Sequence, residues 1–205
     1  MPKYLMGVDI GTSGTKSIIA DENGRVIASR TEEYPLYTPK PGWAEQRPED
    51  WWDAVVKSVR AIIAKAALPA NEIAGLSLSG QMHGLVALDK DMQVIRPAML
   101  WCDQRTQKQC DWITEKAGGL DELVKLTNNR MLTGYTGGKI LWLRDEEPAN
   151  FARMKVFINP KDYIRFKLTG EIGTDMSDAS GTGFFDVKSR RWSDRLIEIA
   201  GLPKS

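Results

Sequence analysis

Histidine and cysteine are the scarcest chemistry in this chain, whose 205 residues hold one His and two Cys. Cys102 and Cys110 suit neither a zinc-knuckle spacing nor a disulfide framework, so both are expected to be free thiols in a reducing cytoplasm. One histidine cannot build an imidazole metal centre, which disfavours His83 as a metal ligand. No sign of charge dominates either. The 28 Lys and Arg and 27 Asp and Glu leave a formal +1, and their interspersion creates no field to draw nucleic acid or an anionic membrane. Long apolar runs are missing: none reaches the roughly 18 residues a membrane span needs, and the first residues carry no signal-peptide core. Neither an internal repeat nor a low-complexity linker interrupts the chain, so one domain over 1–205 is expected. Its 42% hydrophobic content is ample for a core.

What is present begins at Gly7-Val8-Asp9-Ile10-Gly11-Thr12-Ser13-Gly14-Thr15-Lys16. Tyr4 to Val8 and Thr15 to Ala20 read as two strands, with Asp9 at a strand tip beside a tight turn. Gly11 and Gly14 can take positive φ and bring backbone N–H groups close to a ligand, and Thr12, Ser13 and Thr15 add hydroxyls suited to phosphate oxygens. A carboxylate there would hold Mg²⁺ through water. A Walker loop is excluded, because Thr15 stands where its second Gly belongs. An ordinary Gly-rich hairpin with a solvated Asp remains the alternative.

The single histidine lies in Ser79-Gly80-Gln81-Met82-His83-Gly84, between a strand expected to be buried, Ile73 to Leu78, and the apolar run Leu85 to Leu88. Ligands collect at such strand ends in α/β proteins. Met82 could pack on carbon while His83 hydrogen-bonds a hydroxyl; a structural His near the core is the competing reading. Around these turns the pattern predicts a third strand at Arg25 to Ser29 and an amphipathic helix through Trp52, Val55, Val59, Ile62 and Ala66, with Pro48 in its first turn. A hairpin around Asp89-Lys90-Asp91, a helix from Arg105 to Ala117 capped by Gly118, and a short strand near Val156 follow.

With both turns in hand, the chain resembles the FGGY family of carbohydrate kinases, within the sugar kinase, Hsp70 and actin superfamily. Further segments carry the likeness: Gly42-Trp43-Ala44-Glu45-Gln46, Trp101-Cys102-Asp103-Gln104-Arg105, the run from Gly134 to Glu146, Pro160-Lys161-Asp162-Tyr163, and the run from Thr174 to Thr182. The resemblance spans nearly the whole chain, and its specificity comes from the order of several motifs. It implies an α/β, ribonuclease-H-like fold with a mixed sheet flanked by helices, and the N-terminal lobe of a two-lobe enzyme. The implied chemistry is transfer of the γ-phosphoryl group of ATP, with Mg²⁺, to a primary hydroxyl of an open-chain ketopentose. Likeness within the family favours D-xylulose as acceptor and D-xylulose 5-phosphate as product.

On that reading Asp9 positions the metal and phosphates, and Gly11, Thr12, Ser13, Thr15 and Lys16 surround ATP. Met82, His83, Trp101, Asp103 and Arg105 face the sugar. Alternatives stay open for several positions. Trp101 could be a core aromatic, and Asp103 and Arg105 could simply pair with each other. Trp142 reads as packing, Thr136 and Lys139 as possible ligand contacts at a helix entrance, and Asp178 as a cap for the following turn in preference to a base. The family's general base, an Asp opening the second lobe, is not found in this sequence, so residues 1–205 alone should not turn over. A cleft surface left uncovered would be open to self-association as a homodimer. Kinases of ribulose, glycerol or gluconate, and a non-catalytic sugar-binding module on the same fold, are the competing functions.

Overall fold

The computed structural model describes residues 4–202; the extreme start and end of the chain considered above, 1–3 and 203–205, lie outside the described residues. Three strands follow one another, β1 (Tyr4–Ile10), β2 (Gly14–Asp21) and β3 (Val26–Glu33). A short β4 (Glu45–Gln46) precedes the long helix α1 (Pro48–Ala66), and β5 (Ile73–Gly80) follows. The main sheet has the order β3-β2-β1-β5, antiparallel except where β5 lies parallel to β1. This is the β-β-β-α-β arrangement expected from the pattern.

Alternation explains which face is covered. Met6, Val8 and Ile10 of β1, with Ile19 and Ala28, point to one side and meet Trp51, Val55 and Ile62 of α1 in one buried cluster. Each fully buried large aliphatic contributes about 1.5–3 kcal/mol. The same parity buries Thr15 and Ser17, and the Ser17 hydroxyl is satisfied by the Ser58 hydroxyl of α1 at 2.8 Å. Pro48 occupies the first turn of α1 with Glu49 and Asp50 beside it, where fixed φ and negative charge both favour a helix start.

The rest of the described chain supplies both that cluster and a second one. β6 (Val86–Leu88) and β7 (Ala98–Met99) precede α2 (Gln107–Lys116), α3 (Leu120–Thr127), α4 (Thr136–Glu146) and α5 (Pro148–Arg153). β8 (Val156–Ile158), α6 (Pro160–Thr169), α7 (Met176–Ser180), β9 (Phe185–Asp186), β10 (Arg191–Trp192) and α8 (Asp194–Ala200) complete the described chain. Ile113, Leu123, Ile140, Leu141, Phe184 and Leu196 pack together in the second. β6 pairs with β8 and β4 with β7; Val86, Leu88, Ala98 and Ile158 of these strands join the first cluster, and the neighbouring Leu85 and Met99 join the second. Among the described residues no helix is long and apolar enough to cross a membrane.

One expectation needs correction. The strand from Ile73 is not buried: β5 is an edge strand, and Leu76 is 42% exposed on it. Helix α2 runs from Gln107 to Lys116, within two residues of the expected bounds.

Candidate active site

Asp9 sits on β1 opposite Lys16 of β2 and Ser79 of β5. Directly paired residues share a face of a sheet, so all three point away from α1, where Asp9 and Lys16 are exposed. They line an open concavity of about 420 Å³ with Ser29 and Ser77. Asp9 is the sole carboxylate lining it, and it takes part in no ion pair among the described residues. The rest of the lining mixes serine hydroxyls, Lys16 and apolar residues, and the one exposed carboxylate is a hard-oxygen donor that fits a hydrated Mg²⁺.

The turn after Asp9 is closed by Gly11 N–H donating to Gly14 O at 3.0 Å. Neither glycine has positive φ, contrary to expectation. Glycine is required by close approach instead: a Cβ at Gly14 would lie 2.7 Å from Glu32 O on β3. Below the turn lies a buried amide network that sequence reasoning did not assign. Gln81 Nε2 donates to Gln46 Oε1 at 2.9 Å, Gln46 Nε2 to Thr12 O at 2.7 Å, and Trp51 Nε1 to Gln46 Oε1 at 3.0 Å. Tyr34 Oη donates to Gly11 O at 2.5 Å, and burial pushes this phenol up to about 12. These groups hold the carbonyls of Gly11 and Thr12, and Ser13 at the tip of the turn is exposed. Both glutamines lie in the motifs already singled out, Gly42 to Gln46 and Ser79 to Gly84, which was the available signal.

β1 and β5 end side by side. Gln81 N–H donates to Ile10 O at 2.7 Å, so the Met82–His83 turn leaves the sheet next to the Asp9 turn. Trp101 connects to the same place, its indole N–H donating to Thr12 Oγ1 at 3.0 Å. Met82 and Trp101 are 43% and 40% exposed; neither lines the concavity that holds Asp9. His83 is half-buried, with its ring 4.8 Å from that of Tyr135. Burial, and secondarily the charge of Lys139, lowers its pKa to about 4.

Three expected site residues are placed elsewhere. Thr15 is fully buried against α1, because it shares parity with Ile19, and it does not face the turn. Asp103 is 0% exposed, and the Arg105 side chain 1%. Arg105 pairs with Asp103 at 2.6 Å and Glu45 at 2.8 Å and stacks on the Trp43 ring, 3.5 Å to the centroid. Asp103 also accepts the Ala44 N–H at 2.7 Å. Both side chains are buried and, Arg105 Nη1 apart, their polar atoms are paired inside the fold, so the expectation that they meet sugar is not carried forward. Trp142 packs in the same place, edge-on to Trp43.

Thr136 and Lys139 are likewise fully buried, contrary to a role in direct ligand contact. Asp175, not Asp178, caps the short α7 by accepting the N–H groups of Ser177 and Asp178. Asp178 instead joins Asp162 and Asp175 around the Lys161 ammonium, at 3.2, 2.7 and 2.8 Å. Burial opposes the charge of Lys161, but these carboxylates outweigh it and raise its pKa. The three acids are a possible cation site by spacing, yet Lys161 already supplies the cation.

The His83 ring occupies a slot walled by Gly181, where an added Cβ would overlap His83 Cε1 and Nδ1. We expect Gly181→Ala to cost about 1–3 kcal/mol of stability, as overpacking does, measured by urea denaturation. A cost near zero would mean that the ring moves freely.

Sheet order, a carboxylate at the tip of β1 and two loops at adjacent strand ends define an α/β lobe of the ribonuclease-H-like class. Residues 4–205 match the profile of the FGGY family of carbohydrate kinases, N-terminal domain. The chain belongs to that family. It is similar to the xylulose kinase of Bacillus subtilis (strain 168), 44% identical over 200 residues that make up 98% of this chain and 40% of the relative. Among solved structures it resembles the ligand-bound xylulose kinase from Lactobacillus acidophilus, with a TM-score of 0.91, 32% identity, and coverage of 98% of this chain and 40% of that one. A gluconate kinase from the same species gives 0.90 and 31% with the same coverage. The chain thus spans about two fifths of the length of the relatives it matches.

Proposed function

We propose that this chain is the N-terminal lobe of a two-lobe, cytoplasmic kinase that transfers the γ-phosphoryl group of ATP to D-xylulose, yielding D-xylulose 5-phosphate. The observation that carries the reading is the meeting of two turns at the tips of neighbouring strands. One presents the exposed Asp9 carboxylate and the exposed Ser13; the other presents Met82 and His83 beside Trp101.

Each group has a role that follows from its placement. Asp9 faces the concavity and orients the phosphate end of ATP, assisted by Lys16 and by the Gly11, Thr12 and Ser13 segment. Magnesium, where bound, would sit on Asp9 through water and neutralise phosphate charge. Neutral His83, held so by burial, accepts or donates one hydrogen bond to a sugar hydroxyl, while Met82 and Trp101 cover the carbon skeleton. Proton removal from the attacking hydroxyl falls to a carboxylate outside this chain. The xylulose kinases among the relatives support the choice of sugar. A gluconate acceptor is the second reading, favoured by the equally close fold of the gluconate kinase.

The test is a coupled ADP-release assay on the full-length protein with xylulose, ribulose, glycerol and gluconate. We expect turnover with xylulose, a rise of about 10–100-fold in sugar KM for His83→Ala, and none from residues 1–205 alone. Turnover only with another acceptor would keep the kinase and change its substrate. Binding of sugar without turnover of any acceptor would point to a non-catalytic module.

A further inference from the structure

The most unusual buried group is a lysine that the catalytic reading leaves unused. Lys139 is 0% exposed, and its Nζ donates to three backbone carbonyls: His83 O at 3.0 Å, Tyr135 O at 3.2 Å, and Gly134 O. We propose that Lys139 is a positioning residue for sugar binding, holding the Met82–His83 turn and the aromatic wall beside it in one geometry. The proposal rests on the reading that His83 contacts the sugar.

Several independent features converge on this turn. His83 has φ 63°, a left-handed conformation unfavourable for a residue with a Cβ, so surrounding contacts must enforce it. Those contacts grip its carbonyl: Lys139 from one side and Thr136 Oγ1, at 3.2 Å, from another. The next carbonyl, of Gly84, accepts from Asn159 Nδ2 at 2.9 Å, and the same amide donates to Thr136 Oγ1 at 3.2 Å. Two successive peptide units are therefore locked to α4 and to the start of α6.

Lys139 does more than hold one peptide. Tyr135, whose carbonyl it also binds, is the residue whose ring packs on the His83 imidazole, opposite Gly181. A single ammonium thus fixes the backbone of His83 and the backbone of its stacking partner. Burying an ammonium is unfavourable, and desolvation lowers its pKa to about 7 against the pull of Asp103. A methionine of similar length would fill the space without that cost. What the ammonium adds is three directed donors, all aimed at the two loops that make the His83 slot.

His83 is the only histidine of the chain, so its imidazole ¹H–¹⁵N signals need no assignment. They would be recorded for the 205-residue chain without sugar, alongside Lys139→Met, Thr136→Val and Thr136→Ser. We expect Lys139→Met to stay folded by circular dichroism, to shift and broaden the His83 signals, and to raise the imidazole titration midpoint above the parent's, since a neighbouring positive charge is gone while burial, the larger cause of the depression, remains. Thr136→Val should act in the same direction on the signals, with Thr136→Ser restoring them. In the full-length protein, sugar KM for Lys139→Met should rise about tenfold while KM for ATP holds, which loss of general stability would not produce.

Unchanged His83 signals and sugar KM in a folded Lys139→Met protein would overturn the proposal. So would a Lys139→Met protein that unfolds while Thr136→Val leaves His83 untouched. Should the parent enzyme accept no sugar, the functional reading fails by itself, and the sugar-free imidazole signals still decide whether Lys139 sets the turn.

Discussion

Replacing Arg105 with alanine is expected to destabilise the chain by about 3–5 kcal/mol, the usual result of removing one partner from a buried ion pair. The guanidinium is held by Asp103 and Glu45 and lies between Trp43 and Trp142, with ring centroids 3.5 and 4.9 Å away. Taking it out leaves Asp103 charged, fully buried and facing a void, and leaves Glu45 with Arg96 as its remaining ion-pair partner. Total stability of a folded domain is about 5–15 kcal/mol, so the variant should be close to unfolding at 37 °C. The double replacement Arg105→Met with Asp103→Asn should lose less than the sum of the single changes, because the orphan charge disappears with its partner. Urea midpoints of the parent, both single variants and the double variant measure this. If Arg105→Ala kept the parent's midpoint but lost sugar affinity, the group would belong to the pocket and not to the core.

That case shows where sequence reasoning ran out. An Asp and an Arg two residues apart, next to a Trp, describe a polyol site and a buried bracket equally well; the chemistry that recognises hydroxyls also satisfies a charge in the interior. The deciding facts are the Ala44 N–H and Glu45, nearly sixty residues upstream, which no local pattern contains. By contrast, β1 to β3 and α1 were legible because alternation and helical spacing each run long enough to name a face. Thr15 was misplaced although its parity with Ile19 marked it as inward. The exposure of β5 was invisible, since an edge strand and a central one can carry the same apolar run. Lys139 reads as a helix entrance residue because the His83 carbonyl it binds lies 56 residues away, beyond any local spacing. Asp9, Met82, His83 and Trp101 were read as neighbours through the family resemblance, and the register of β1 on β5 supplies the physical reason for that proximity.

Asp9→Asn should have the larger effect on chemistry and the smaller effect on the fold. Its side chain is exposed and unpaired among the described residues, on the sheet face opposite α1, so an isosteric amide removes the charge without disturbing the core. On the proposed function, that charge acts while phosphate charge is redistributed, and it matters little to a bound ground-state sugar. The expected signature in the full-length protein is a fall in kcat on the order of 10²–10³-fold, comparable to losing one preorganised electrostatic group, with sugar KM moved by less than about threefold. The urea midpoint should stay within about 0.5 kcal/mol of the parent, as for a surface change away from packing. Steady-state ADP release at varied xylulose and varied ATP separates these terms. A kcat within about threefold of the parent would remove Asp9 from the reaction and leave the β1 turn as a structural hairpin. A collapse of sugar affinity at unchanged kcat would move Asp9 from the phosphate end of the site to the sugar end, since only a group used equally in ground and transition states acts on KM alone.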